Sequence, residues 1–393
     1  MRATVAKINL GKLRHNVAQL CARAGKNVQL CVAVKADAYG HGAVPCAQAA
    51  LEAGARWLAV ATVDEGAELR AAGISAPVLV LSLCTPQELP VLVAEGLTPL
   101  VFDGDFISLV ATEVRRQGKR RFPVHLAVDS GMGRIGCYPE EAAALARRIA
   151  IAEDGALALG GMCTHFAAAD SPAATDEEYT DSQLARFRAA VCAVSAAGIS
   201  PGLCHCANSA AALDRSDDRC GMVRSGITVY GCYPGDKRRD YFAARGVCVD
   251  LRPVMTLATQ VVSVRRLRAG MSVSYGHTWT AQADTVIGVL PLGYADGLLR
   301  CYGPHLRVVV TDACGTRRIC PVRGRICMDQ CMIDFGAVSD DEMRRLRWSE
   351  AVVFGDTDSD AATSAQSLAD AVGTISYEVT SAVSRRVPRL YID

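Results

Sequence analysis

The chain has 393 residues, half of them hydrophobic and 21% charged, with 42 Lys and Arg against 41 Asp and Glu. That composition excludes bulk disorder, and a formal charge of +1 leaves no basic excess to hold a nucleic acid or an anionic membrane. No stretch reaches the ~18 unbroken apolar residues of a membrane span. The start, Met1-Arg2-Ala3-Thr4-Val5-Ala6-Lys7, has neither an apolar signal core nor a cleavage motif, so the expectation is a cytoplasmic protein. The 17 cysteines are then expected as reduced core thiols rather than a disulfide framework.

In chain order, short apolar runs alternate with helix-compatible stretches. The runs are Val28–Val34, Trp57–Ala61, Val78–Leu83, Leu97–Phe102, Val124–Val128, Ala156–Cys163, Gly202–Cys206 and the short Met222–Val223. Between them lie Val44–Ala53, Asp64–Ala72, Phe106–Gln117, Glu140–Ile151 and Ser182–Ala197, with Ala, Leu, Glu and Arg at helical spacing. Apolar strands separated by helices mean a parallel sheet. Eight such units in about 230 residues match a (β/α)8 TIM-type barrel; a doubly wound sheet is the competing architecture. At Pro234-Gly235-Asp236-Lys237-Arg238-Arg239-Asp240 the texture turns charged and turn-rich. Beyond it come β-like runs Met255–Val264, Val273–Tyr275, Thr285–Leu292, Leu306–Val310 and Met332–Phe335, with limited helix at Ser364–Ala371. The expected domains are a barrel over 1–245 and a mostly β domain over 246–393.

Two local patterns invite misreading. Gly131-Met132-Gly133-Arg134-Ile135-Gly136 is a literal G-x-G-x-x-G after a strand, the form of a dinucleotide turn. A dinucleotide helix opens within the glycines, whereas here the helix signal, Pro139-Glu140-Glu141, follows them. The motif also lies in the fifth unit rather than the first. Cys204-His205-Cys206 has no common zinc spacing and reads as structural; no metal is expected.

Lys35 ends the run Cys31-Val32-Ala33-Val34, where a barrel places its active-site mouth. Desolvation there lowers a lysine's pKa and frees its amine as a nucleophile. Position alone leaves open a lysine that merely marks a strand end. The string Val34-Lys35-Ala36-Asp37-Ala38-Tyr39-Gly40-His41-Gly42 decides between them, because it resembles the pyridoxal-phosphate signature of the alanine racemases. Matching strings run through both domains. The resemblance implies pyridoxal 5'-phosphate in a Schiff base on Lys35, with Tyr39 among the cofactor residues.

The further strings imply further roles. His125-Leu126-Ala127-Val128-Asp129-Ser130-Gly131-Met132-Gly133-Arg134 resembles the strand and loop whose arginine, here Arg134, meets the cofactor ring oxygen and the substrate carboxylate. The family often has a carbamylated lysine where this chain has Ala127. Thr164-His165-Phe166 resembles the segment whose histidine packs on the ring. Asn208 and Ser209, in His205-Cys206-Ala207-Asn208-Ser209, and the amides of Gly226 and Ile227 are implied at the phosphate. Arg224 is implied at the ring nitrogen. An arginine does not readily give up its proton (pKa above ~12), so the ring stays neutral and racemisation is favoured over transamination. Val273-Ser274-Tyr275-Gly276 resembles the string carrying a second base, Tyr275, donated by the partner subunit. Tyr294 belongs to the substrate passage, the Met328 amide to the substrate carboxylate, and Asp329 to support of the passage tyrosines. Tyr377, in Ile375-Ser376-Tyr377-Glu378-Val379, touches the phosphate and limits the side chain to one of alanine's size.

The implied activity is isomerisation of L- and D-alanine by two bases, in a homodimer with shared sites, supplying D-alanine for peptidoglycan. A serine or broader amino-acid racemase of the same architecture is the alternative. A non-catalytic cofactor carrier would lack the β domain and Tyr275, and a dehydrogenase rests on Gly131–Gly136 alone.

Overall fold

The computed structural model describes residues 2–152, 154–215, 220–355 and 363–393. The chain divides into two compact units, Leu13–Ala38 with Ala43–Leu251, and Met1–Lys12 with Tyr39–Gly42 and Arg252–Asp393. Against the expected blocks 1–245 and 246–393, the first twelve residues and a short piece after Lys35 thus belong with the C-terminal unit. The cause is strand pairing. β1 (Val5–Asn9) lies antiparallel to Met255–Gln260 and parallel to the edge strand Arg389–Ile392 of a six-stranded sheet.

The first unit is the eight-stranded parallel sheet of the barrel. Its strands are β2 (Gln29–Ala33), β3 (Trp57–Val60), β4 (Val78–Val80), β5 (Thr98–Val101), β6 (Phe122–Ala127), β7 (Leu157–Cys163), β8 (Leu203–His205) and β9 (Met222–Ser225). The order runs from β8 in sequence back to β2 and then β9. Two amides close the ring between its ends: Gly221 donates to the Cys204 carbonyl at 3.1 Å and Arg224 to the Ala207 carbonyl at 3.0 Å. Every residue of β4 and β5 is buried, as expected of strands covered on both faces.

The helices follow from caps and spacing. Asp103 accepts from the Phe106 amide at 2.7 Å and opens Gly104–Arg116. Ile107, Val110, Ala111 and Val114 then fall on one stripe and are all buried. Each large member is worth roughly 2 kcal/mol of burial, so a charge at Val110 would undo the packing of that helix. Thr62 and Glu65 form a reciprocal capping box at the start of Val63–Ala71.

The C-terminal unit is mostly β. Besides the six-stranded sheet it has a three-stranded one of Ser263–Leu267, Thr285–Leu290 and Cys331–Gly336. Among the described residues no helix is long and apolar enough to cross a membrane.

Candidate active site

The segment after β2 breaks a local rule. Ala36, Asp37, Ala38 and Tyr39 have φ between +51° and +55°, and Gly40 follows at +85°, so Lys35–Gly40 is a left-handed turn. Each L residue so placed costs roughly 1–2 kcal/mol, and runs of them are rare. Surrounding bonds hold the turn in place. The Val34 amide donates to the Ala59 carbonyl at 2.8 Å, and the Ala38 amide to the Val34 carbonyl at 2.8 Å. Glu65 spends its capping carboxylate twice, accepting the Ala36 amide at 2.7 Å and the Ala61 amide at 2.7 Å. Strain held this firmly marks a position selected for chemistry rather than stability.

Lys35 lines a cavity of about 470 Å³ at the carboxyl ends of the barrel strands, together with Arg134, His165 and Arg224. Leu81, Leu100, Ala127 and Met132 supply apolar wall. The three charged residues on the lining are all cations. Burial pushes the Lys35 amine below the usual lysine range, Arg134 adds to the effect, and Glu65 opposes it. That is the state in which an amine can act as nucleophile or base.

Arg224 is 7% exposed and fully engaged. It donates to the Thr164 carbonyl at 2.8 Å, the Cys206 carbonyl at 3.2 Å, His205 Nδ1 at 2.5 Å and His165 Nδ1 at 3.3 Å. His205 passes the chain on: with Nδ1 accepting, its Nε2–H donates to His125 Nδ1 at 2.8 Å. Burial and then Arg224 push His125 down to about 4 and His165 to about 3, and lower His205 as well. All three rings are therefore neutral at pH 7, and the arginine keeps the only charge in the chain. Gly161 makes room for this: a Cβ there would lie 2.4 Å from the Leu203 carbonyl and 2.8 Å from the His125 ring.

The phosphate end is built from β8 and β9. Ser209 Oγ accepts from the Gly226 amide at 2.8 Å, and Ile227 opens a short buried turn. Asn208 caps the helix Ser209–Asp214, its Oδ1 accepting from the Ala210 and Ala211 amides at 3.1 Å. The hydroxyls of Ser225 and Thr228, either side of Gly226-Ile227, are buried with no hydrogen-bond partner. A cation-only lining, a lysine held toward its free base and unspent buried hydroxyls together fit an anionic cofactor that carries an aldehyde and a phosphate.

The glycine-rich loop has another purpose. Asp129 Oδ1 accepts the Gly131, Met132 and Gly133 amides at 2.9–3.1 Å, wrapping the loop on a carboxylate. Gly136 has φ +129°, and a Cβ there would sit 2.3 Å from the Asp129 amide. A loop closed on its own aspartate presents no amides to a pyrophosphate, and it carries exposed Arg134 to the cavity.

The remaining expected residues belong to the C-terminal unit. Tyr275, Met328 and Asp329 line one open surface pocket with Ser274, Cys327 and Gln330. Tyr275 is 69% exposed and follows Ser274, itself at φ +69°. Tyr294 begins a turn whose Tyr294 and Ala295 amides donate to the Cys327 and Met328 carbonyls at 3.0 Å. Arg386 ties the two strings together, meeting buried Asp296 at 3.0 Å and Asp329 at 2.8 Å. Tyr39 is packed against Tyr377, ring centroids 5.9 Å apart, and burial raises its hydroxyl to about 12.

Three participants escaped the sequence reading: Glu65, His125 and His205. Glu65 was accessible through its Thr62-x-x-Glu65 spacing, the two histidines only as polar residues inside apolar strands.

Family models then match nearly the whole chain: "Alanine racemase, N-terminal domain" over residues 8–234 and "Alanine racemase, C-terminal domain" over 254–391. A curated relative named alanine racemase, from Treponema denticola, is 43% identical over 396 residues, covering 100% of this chain and 99% of that one. The crystal structure of alanine racemase from the D-cycloserine producer Streptomyces lavendulae superposes with a TM-score of 0.88 at 35% identity, covering 100% of this chain and 98% of the other. The Bacillus anthracis alanine racemase with bound L-Ala-P also reaches 0.88, at 31% identity over 100% of this chain and 96% of that one.

Proposed function

The chain belongs to the alanine racemase family, and from that premise we propose how its own residues divide the work of interconverting L- and D-alanine. Pyridoxal phosphate, the family's cofactor, when bound withdraws electrons from the substrate's Cα–H bond and makes that proton acidic. Lys35 is the residue that holds it. Arg224 and His165 would serve its ring, Ser209 with the amides of Gly226 and Ile227 would receive its phosphate, and Tyr39 and Tyr377 would be further cofactor residues. Asn208 acts through the helix cap that positions Ser209.

Racemisation needs a base on each face of Cα. The barrel cavity supplies one, Lys35, and has no tyrosine on its lining. Tyr275 of a second subunit supplies the other in this reading; its 69% exposure is what an aromatic awaiting a partner shows. The unit is then a homodimer. The observation that carries the assignment is the Arg224 network. Every acceptor around that guanidinium is neutral, so nothing relays a proton to it or takes one from it. With the cofactor bound, Arg224 would not supply a proton to the ring nitrogen, which would favour prompt return of a proton to Cα over transamination.

Arg134 and the Met328 amide hold the substrate carboxylate, Tyr294 and Asp329 shape the passage, and Tyr377 restricts the side chain to alanine's size. The product feeds peptidoglycan synthesis in the cytoplasm. Proton NMR of purified protein with L-alanine in heavy water, with chiral analysis, tests the reading. Loss of the α-proton signal together with D-alanine accumulation is expected. Exchange with L-serine but not L-alanine would overturn the role given to Tyr377, and no exchange with either would overturn the two-base assignment.

A further inference from the structure

All seventeen cysteines are thiols, and the chemistry above uses none of them. One pair stands apart. Cys206, fully buried just past β8, and Cys220, exposed just before β9, have their Sγ atoms 3.7 Å apart. A disulfide bond is ~2.05 Å long, so the sulfurs have under ~2 Å to travel. The backbone on both sides is tied down. The Cys206 carbonyl accepts from Arg224 at 3.2 Å, and the amide after Cys220, that of Gly221, donates to the Cys204 carbonyl at 3.1 Å. Cys220 itself sits at φ +49°, a conformation L residues seldom adopt.

We propose that Cys206 and Cys220 are a reversible dithiol–disulfide pair, oxidised by a low-molecular-weight disulfide, that staples the segment carrying Asn208 and Ser209 to the start of β9. The exposed Cys220 thiolate attacks one sulfur of the external disulfide and expels a thiolate, leaving a mixed disulfide. Cys206 then attacks the Cys220 sulfur and expels the second thiolate. Two protein thiols are oxidised, one external disulfide is reduced to two thiols, and the two protein protons end on the released thiolates. A third thiol, Cys204, lies nearby; burial first, then Cys220 and Cys163, push it up to about 11. Among the described residues no group of three His, Cys, Asp or Glu side chains is arranged to hold a metal. The pair is independent of the catalytic roles above.

The test uses the full chain, equilibrated with oxidised glutathione, alkylated, digested and mapped by mass spectrometry without reduction. A peptide linked through Cys206 and Cys220 is expected, vanishing on added reduced thiol. It should be absent from Cys220→Ser and present in Cys192→Ser, which removes a different exposed thiol. Because Cys206→Ser alters a fully buried site, Cys220→Ser carries the decision. Cys220 recovered only as its glutathione adduct with Cys206 alkylated, a Cys204–Cys220 link, or no oxidation of either residue would each overturn the proposal.

Discussion

In the barrel, Arg224 is 7% exposed, each of its contacts is spent, and the histidines around it are fixed as neutral rings. In the C-terminal unit, Tyr275 is 69% exposed and Met328 52%, on a surface pocket open to solvent. The first region is preorganised: its charges and tautomers are set before any ligand arrives, so electrostatics there act at full strength. The second offers its groups to water. An exposed phenol is a poor base until cationic or hydrogen-bonding neighbours surround it. The contrast teaches that one half of the proposed chemistry is built into the barrel interior and the other half is offered on an open surface.

The largest effect that would break this contrast is at Lys35. Lys35→Ala should lower racemisation by ~10³-fold or more and abolish the visible absorbance of bound cofactor, read by ultraviolet–visible spectroscopy. Next comes Arg224. Arg224→Glu places a carboxylate where the network holds only a cation, and is expected to cost ~10²-fold or more in racemisation while pyruvate from transamination appears. Pyruvate assay with lactate dehydrogenase checks the second half; unchanged partition between the two reactions would separate Arg224 from reaction choice.

The barrel's neutral histidines also set an acid limit. An unfolded histidine titrates near ~6.5, and His125 here is held at about 4, so unfolding takes up protons between those values. The stability is complete above the higher value, is lost progressively as pH falls toward the lower, and is gone below it. For His125 alone the loss is on the order of 3 kcal/mol. Urea unfolding at pH 7 and pH 4 measures it, and His125→Asn should flatten the slope. The smallest effect sharpens the role of Asn208. Its Oδ1 caps a helix, so Asn208→Ala should cost about 1 kcal/mol even in cofactor-free protein. A loss confined to the loaded enzyme would make it a cofactor contact instead.

The same two regions differ in how much of them could be read from residues alone. The barrel strands stood out because most of their residues are apolar and buried, those of β4 and β5 throughout. The C-terminal strands Arg317–Pro321 and Arg389–Ile392 did not, since one opens on two arginines and ends on a proline and the other is mostly exposed. β1 alternates, with Ala6 and Ile8 buried and Val5 and Lys7 partly exposed, but its partner strands begin at residues 255 and 389, a separation no local pattern reveals. The left-handed turn after Lys35 is invisible for another reason. Alanine and tyrosine have no preference for positive φ, and the turn exists because Glu65 and the β3 backbone hold it there. Lys35, Arg134, His165 and Arg224 were all reachable as motif residues, and the structure gathers them on one cavity. The His205–His125 extension was not, because a strand interior hides what its polar residues bond to.

One measurement reaches the claim that the active site is shared between subunits. Lys35→Ala and Tyr275→Phe chains, each inactive alone, are co-expressed with different tags and the mixed dimer is purified. One of its two sites then holds both wild-type bases, so about half the wild-type activity per dimer should return. A mixed dimer as inactive as either parent would place both bases in one chain and contradict the account.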